Sequence, residues 1–324
     1  MKSLLTKVLL LSVICVAAQK NSLHLASDVW PPFSDRNGEK AFALEVVKEA
    51  LRRGNISANT SIVSFEEVLD GLNSASYDGS ATLWKTEDRE SYLLYSAPYL
   101  ENRLVLVGRV GSDVSFDSLD ELQNKRVSVV SDYAYGSSIY TIPGVVILPG
   151  NSDQQNLEFL LEGKTDYMLV DELLIKYLLE YQHQEVKKYL SVGTKAIMVQ
   201  PLYMAILKKT PNAAGIISGF NDQISEMMAD GTYNEILELN WIQYDVDGDG
   251  VLELVMNGDN VGKEAPVNYY ALMSTSGLSN NTNRYYINGT MYDGWNSVPD
   301  QFKNNIINGA KLQPSESTGL KLKF

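Results

Sequence analysis

What most constrains the fold of this chain is a strand–helix alternation that runs through twice. "LHLASDV" alternates like a strand and stops at the "WPPF" turn, and "FALEVVKEALRRG" carries apolar residues at helical spacing with a closing glycine. "SIVSFEEVLDGLNSASYDG" gives a strand, a turn and a helix, and "SATLW" a further strand, followed by the long apolar strand "RLVLVGRV". From Phe116 to Val199 the pattern restarts: "SLDELQ" as a helix, "RVSVVS" and "VVILPG" as strands, "NLEFLLEG" as a helix, "DYMLVD" as a strand, "ELLIKYLLEYQ" as a helix. "PLYMAIL" then mirrors "RLVLVG", and "GIISGFNDQISEMMADGTYNEILELNW" supplies a long helix, a glycine break and another helix. Alternation of this kind predicts α/β lobes with largely parallel sheets.

The layout is lobe, strand, lobe, strand, helices. It predicts two Rossmann-like lobes joined by two hinge strands near Arg103–Gly108 and Pro201–Leu207, with the last helices returning to the first lobe. A cleft between such lobes is a favoured ligand site, and hinge closure around a ligand is an established type of motion. Two α/β domains with no functional motion remain the plainer alternative.

The N-terminus has Lys2 and Lys7, an apolar run from Val8 to Val16 and the small pair Ala17–Ala18, the pattern of a cleaved secretory signal over residues 1–18. It is too short for a spanning helix, which needs about 20 apolar residues. Cys15 is the single cysteine and leaves with the signal, so the mature chain has no thiol chemistry or disulfides. The formal charge of −13 becomes −15 without Lys2 and Lys7, which argues against nucleic acid or an anionic membrane as partner.

Several short motifs then fall in a consistent order: "ASDVWPPF", "FALEVVKEALRRG", "YDG" before the third strand, "TEDR" followed by "YSAPY", "GKTDYMLVDE" and "ADGTYNEILELNW". In that order they resemble the type 2 periplasmic solute-binding proteins of the amino-acid-binding kind, from about Leu23 to Trp241. The resemblance implies lobe 1 over residues 19–107 and 201–241, lobe 2 over 108–200, and an extension over 242–324. It implies a monomeric periplasmic receptor that closes on an amino-acid-like solute and delivers it to the permease of an ABC-type transporter.

The resemblance also assigns roles. Arg89 stands where the family holds the ligand's α-carboxylate, and a guanidinium suits this because it donates two parallel hydrogen bonds and keeps its charge. The plainer reading pairs Arg89 with Glu87 or Glu90 at the surface. Asp171 stands where the family receives the α-ammonium group, and would serve equally as a helix N-cap. Trp30 and Phe65 fall where aromatics sandwich the ligand side chain; core packing is the alternative, less natural for Trp30 before two prolines. Asp28, Thr82, Trp84 and Tyr133 complete the implied ligand set. Trp84 replaces a small hydroxyl residue, and Asp132, Tyr133 and Ala134 replace a small glycine-led run, which predicts a larger, more aromatic and more acidic pocket.

The extension contains "DVDGDGVLELVM". Asp245, Asp247 and Asp249 at first, third and fifth positions, the Val251 carbonyl at the seventh and Glu253 at the ninth resemble a short extracellular calcium loop. Met256 stands where a full EF-hand loop would have glutamate. A solvated acidic turn is the alternative. "RYYINGTMYDGWNSVPDQF" predicts short strands and turns. An enzyme reading, by analogy with a periplasmic dehydratase on the same fold, finds no catalytic residue: His24 and His183 are the only histidines, in a strand and a polar helix end. A ligand-sensing module would be expected to have an anchor or output domain after it.

Overall fold

The structure is a computed structural model that describes residues 22–35, 41–239, 241–256, 270–271, 279 and 283–303; the signal over 1–18 and the chain's last residues lie outside this set. In the first lobe β1 (Ser22–Asp28) pairs in parallel with β2 (Ser57–Val63) and β3 (Gly79–Leu83). Between β1 and β2 lies α1 (Phe42–Arg53), which buries Ala43, Val46, Val47, Ala50 and Leu51, one face at the spacing of two turns. Each fully buried Val or Leu of that face contributes about 1.5–3 kcal/mol. The start of α2 (Phe65–Ser74) is set by Ser64, whose hydroxyl accepts from the Glu67 N–H while the Glu67 carboxylate accepts from the Ser64 N–H. Phe65 is thereby the first residue of a helix at the edge of the cleft. After β3 a short α3 (Glu87–Glu90) carries Arg89 and leads into β4 (Leu93–Tyr95).

The lobes share one nine-stranded sheet. Two long strands carry it from one lobe to the other: β5 (Leu100–Arg109) and, after the second lobe, β9 (Leu190–Leu207), antiparallel from Leu100↔Leu202 to Arg109↔Leu190. The second lobe is built from β6 (Arg126–Val130), β7 (Val146–Gly150), α4 (Asp153–Leu161), β8 (Tyr167–Asp171), α5 (Glu172–Tyr181) and α6 (His183–Tyr189). The sheet order β2-β1-β3-β9-β5-β8-β6-β7 places β9 and β5 at its centre, with β4 also on β9. β9 begins at Leu190 and not at the predicted Pro201: Gly193, Lys195 and other polar residues hide its alternation, and pairing with β5, which shifts register near Leu104 and Val105, holds it extended. "SLDELQ" gives only one 3-10 turn, Leu119–Leu122.

The chain returns to the first lobe through α7 (Ala213–Asp230) and α8 (Thr232–Ile236), separated by Gly231 at φ 84°, a left-handed conformation that glycine adopts without penalty. The extension folds as a second, five-stranded sheet of β10 (Ile242–Tyr244), β11 (Glu253–Met256), β12 (Tyr270–Ala271), β13 (Arg284–Ile287) and β14 (Thr290–Asp293). Asn288 and Gly289, both at positive φ, make the tight β13–β14 turn that an Asn-Gly pair favours. Trp241, Leu254, Met256, Tyr285, Ile287 and Val298 form this sheet's own core, whereas Ile242 and Val255 join the main core. The extension is thus packed onto the lobe that α8 closes.

Candidate ligand-binding cleft

Seven of the eight residues expected to hold a ligand converge on one cavity between the lobes: Asp28, Trp30, Phe65, Thr82, Trp84, Arg89 and Tyr133. β1 delivers Asp28 at its end, the turn after it delivers Trp30, and Thr82 and Trp84 sit at the end of β3. These are the carboxyl ends of parallel strands, where open α/β sheets place their ligands. Tyr133 comes from the loop after β6 and reaches in from the second lobe. Its ring centroid lies 5.5 Å from Trp30, 5.0 Å from Phe65 and 5.2 Å from Trp84, all edge-to-face, and its hydroxyl donates to Asp28. Filled this way, the cavity retains about 10 Å³ of free space, room for about one water.

Arg89 is buried, and its guanidinium is 5.3 Å from the centre of the Phe65 ring. Nη1 donates to the Trp84 carbonyl at 2.9 Å and Nη2 to the Asp132 carbonyl at 3.1 Å, so the side chain ties the two lobes together. The alternative of a surface pair with a neighbouring glutamate is not what forms, since Glu90 pairs with Lys85. Asp132, at φ 61°, turns its carbonyl toward Arg89 in a conformation that aspartate tolerates better than most residues. The two carbonyls take two of the five guanidinium N–H donors, and Arg89 still lines the cavity.

Asp171 sits differently. It caps α5, accepting the Leu173 N–H at 2.6 Å, and its other oxygen accepts from Asn102 Nδ2 at 3.0 Å. The Asn102 amide oxygen in turn accepts from Trp84 Nε1 at 2.7 Å. A chain Trp84–Asn102–Asp171 therefore runs from the first lobe through β5 to the second, and Asp171 lies behind it, outside the cavity wall. Trp30 is 5% exposed, so the pair of prolines after it does not keep it out of the core: it packs on Phe33 at 4.4 Å and also lines the cavity. The Thr82 hydroxyl is 3.1 Å from Ser27 Oγ and is held within the first lobe.

Asn102 and Asp153 were not singled out from sequence. Asn102 lies inside an apolar hinge strand, where an amide gives no pattern signal. Asp153 follows the N-cap Ser152 as the first residue of α4, a place where an acid is ordinary. Burial pushes the carboxyl of Asp28 up to about 6, that of Asp153 up to about 7 and that of Asp171 up to about 8. The Tyr133 hydroxyl partly offsets this for Asp28, as the Leu173 N–H and Asn102 do for Asp171, while the Asp28 charge raises Asp153 further.

In the extension, side-chain oxygens of Asp245, Asp247 and Glu253 lie within 4.8 Å of one another. Asp245 accepts the N–H groups of Gly248 and Gly250 at 2.8 and 3.0 Å, which curls the loop. Val251 forms a bridge with Ser279. Hard oxygen donors at this spacing suit a divalent cation. The Arg284 guanidinium of β13, however, already lies 3.0 Å from Asp247, 2.7 Å from Asp249 and 2.9 Å from the fully buried Glu253.

Two α/β lobes on a pair of shared strands, closed over an aromatic and acidic cavity with one guanidinium in its wall, define a bilobal solute-binding protein. The chain belongs to the bacterial extracellular solute-binding proteins, family 3, whose family model matches residues 23–243. It is 23% identical over 224 residues to the L-cystine-binding protein TcyJ of Escherichia coli (strain K12), covering 67% of this chain and 80% of that one. Similar figures hold for the L-cystine-binding protein TcyA of Bacillus subtilis (strain 168), 23% identical over 222 residues and covering 67% and 79%. Among solved structures the fold is shared with an ancestral arginine-binding protein bound to arginine, at TM-score 0.57, 22% identity and coverage of 68% and 97%. It is also shared with an arginine 3rd transport system periplasmic binding protein from Legionella pneumophila, at TM-score 0.57, 21% identity and coverage of 67% and 98%. Each of these relatives is described as a binding protein. No helix among the described residues is long and apolar enough to cross a membrane.

Proposed function

We propose that this chain is an extracytoplasmic receptor, exported through its N-terminal signal to the periplasm, that closes on an amino-acid-like solute and presents it as a monomer to an ABC-type permease. The observation that carries this is the convergence of Arg89 with Asp28, Trp30, Phe65, Thr82, Trp84 and Tyr133 on one interlobe cavity. In this reading Arg89 holds the ligand's carboxylate with the donors not given to the Trp84 and Asp132 carbonyls, and the aromatic rings cover its methylenes. Tyr133 must leave the slot when the lobes part, because the ligand needs the space its ring fills. Asp171 reaches the ligand's ammonium group only if Asn102 gives way. No step of bond-making is needed, and the protein is a receptor, not an enzyme.

The extension's loop is the proposed site of a structural Ca²⁺, through the carboxylates of Asp245, Asp247, Asp249 and Glu253 and the carbonyl of Val251. The Arg284 guanidinium would have to yield at least part of its contact. Such an ion would supply charge neutralisation and loop order, with no part in the cleft.

Thermal-shift screening of the full chain against amino acids, cystine and small peptides tests the receptor reading, since a ligand at 100 times its Kd stabilises by about 2.7 kcal/mol. Calorimetry on Arg89→Ala should then show binding weakened by ~2–5 kcal/mol. Unchanged affinity would take Arg89 out of the site, and a chemically altered ligand after incubation would overturn the receptor reading.

A further inference from the structure

Beside the slot that Tyr133 fills, and sharing its Asp28, Phe65 and Tyr133 walls, lies a second chamber of about 180 Å³. Its far wall comes from the start of α4: Asn151, Ser152 and Asp153. Two of its lining residues are carboxylic acids, and none is Lys, Arg or His. Tyr133 donates its hydroxyl to Asp28. Asp153 is 7% exposed, and among the described residues no hydrogen bond or ion pair reaches its carboxylate. A first-turn acid serving only the helix dipole would be expected in solvent, where burial costs it nothing. A buried carboxylate facing a chamber without a partner costs several kcal/mol unless it stays neutral or something positive arrives.

We propose that this chamber is a subsite for a positively charged group of the ligand, with Asp153 its principal acceptor. The inference rests on the receptor reading above and deepens it: the solute is an amino-acid-like cation, its carboxylate at Arg89 and its guanidinium or ammonium end at Asp153. The charge distribution favours it. Asp28 and Asp153 line the chamber with no cationic side chain beside them, and the one arginine of the adjoining slot is turned toward the Trp84 and Asp132 carbonyls. An anionic or apolar ligand end would bring Asp153 neither a counter-charge nor a donor, and a neutral donor would bring no counter-charge. A cation there is flanked by the Phe65 and Tyr133 rings, which favour positive charge over their faces. The Tyr133 ring stands between Arg89's slot and the chamber, so its displacement would join the two spaces for one elongated ligand.

The experiment is calorimetry of the full chain with L-arginine and L-lysine against their neutral counterparts, L-citrulline and L-norleucine, on the wild type and Asp153→Asn. At least one cation should bind ten or more times tighter than its counterpart. Asp153→Asn should lower cation affinity by roughly 10- to 100-fold, the value of one charged hydrogen bond, while leaving the neutral ligand's affinity in place. A neutral counterpart that binds equally well in the wild type overturns the inference, and this arm needs no variant. So does an Asp153→Asn protein that keeps the full preference. If neither cation binds, the subsite is refuted, and a screen of the other amino acids decides the rest. Arg89-dependent binding of one of them leaves the receptor reading standing, and none binding removes both.

Discussion

Tyr133→Phe deletes one oxygen from the cleft and keeps every ring contact, so it isolates the hydroxyl's bond to Asp28. In the wild type, burial lifts the Asp28 carboxyl from its ordinary 3.8 to about 6 even with the tyrosine donating to it. At ~1.4 kcal/mol per pH unit this corresponds to about 3 kcal/mol. The sign follows from the direction: a raised carboxyl contributes its stability below pH 3.8 and loses it as pH climbs through about 6. Without the hydroxyl the carboxylate form loses its donor, the carboxyl rises further, and the loss extends to higher pH. The groups acting on Asp28 include Tyr133, Tyr135 and Asp153, none of them cationic, and Arg89, which lines the same cavity, gives donors to the Trp84 and Asp132 carbonyls. The variant's deficit should be small at pH 4, where Asp28 is protonated in both proteins, and grow to ~1–3 kcal/mol at pH 8, the cost of an unpaired buried acceptor. Thermal melts of ligand-free protein from pH 4 to 8 measure this, with about 2–4 °C in Tm expected per kcal/mol for the two lobes unfolding as one unit. A deficit that is constant across the range would show that the hydroxyl does not touch the ionised carboxylate, and would refute the closed-cleft geometry at this point.

Asn102→Ala removes the amide that joins Trp84 to Asp171, strands a buried indole N–H and one carboxylate oxygen, and should destabilise the protein by ~1–3 kcal/mol in denaturant titration; an effect below ~0.5 kcal/mol would mean that water replaces the amide. For the extension, millimolar calcium should raise the Tm and a chelator lower it, with magnesium much less effective. Asp247→Ala with Asp249→Ala should abolish that response and leave cleft binding intact; a calcium response that survives the double variant places the ion elsewhere. Arg284→Ala separates the two occupants of the carboxylate cluster: it should sharpen the calcium response and lower stability in chelator, whereas a variant indifferent to both would remove Arg284 from the cluster.

Local pattern was enough to write most of the elements. The apolar face of α1 and the Gly231 break are each specified by residues within a few positions of one another, which is why they could be read along the chain; the Ser64 cap and the Asn288–Gly289 turn are as local, and the structure is what singles them out. The set of side chains at the cleft could be read as well, because motif order placed seven of them near strand ends and loops that a two-lobed fold gathers together. The course of β9 before Pro201 was not legible, because its polar residues follow a β5 partner almost a hundred positions away. Nor was Asp171's position: the same aspartate satisfies a cap and a ligand role in sequence, and only its contact with Asn102 on β5 turns it away from the cavity wall. Asp153 reads as an ordinary helix-start acid until β1 and α4 are brought face to face, when Asp28 and Asp153 share one chamber. Arg284 likewise is one more β-strand residue until β13 lies beside β11 and its guanidinium meets three carboxylates. Local propensity and periodicity act over a turn or a strand, and the sequence carries them openly. Charge burial and the filling of a cleft depend on which distant surfaces meet, and tertiary packing alone decides that.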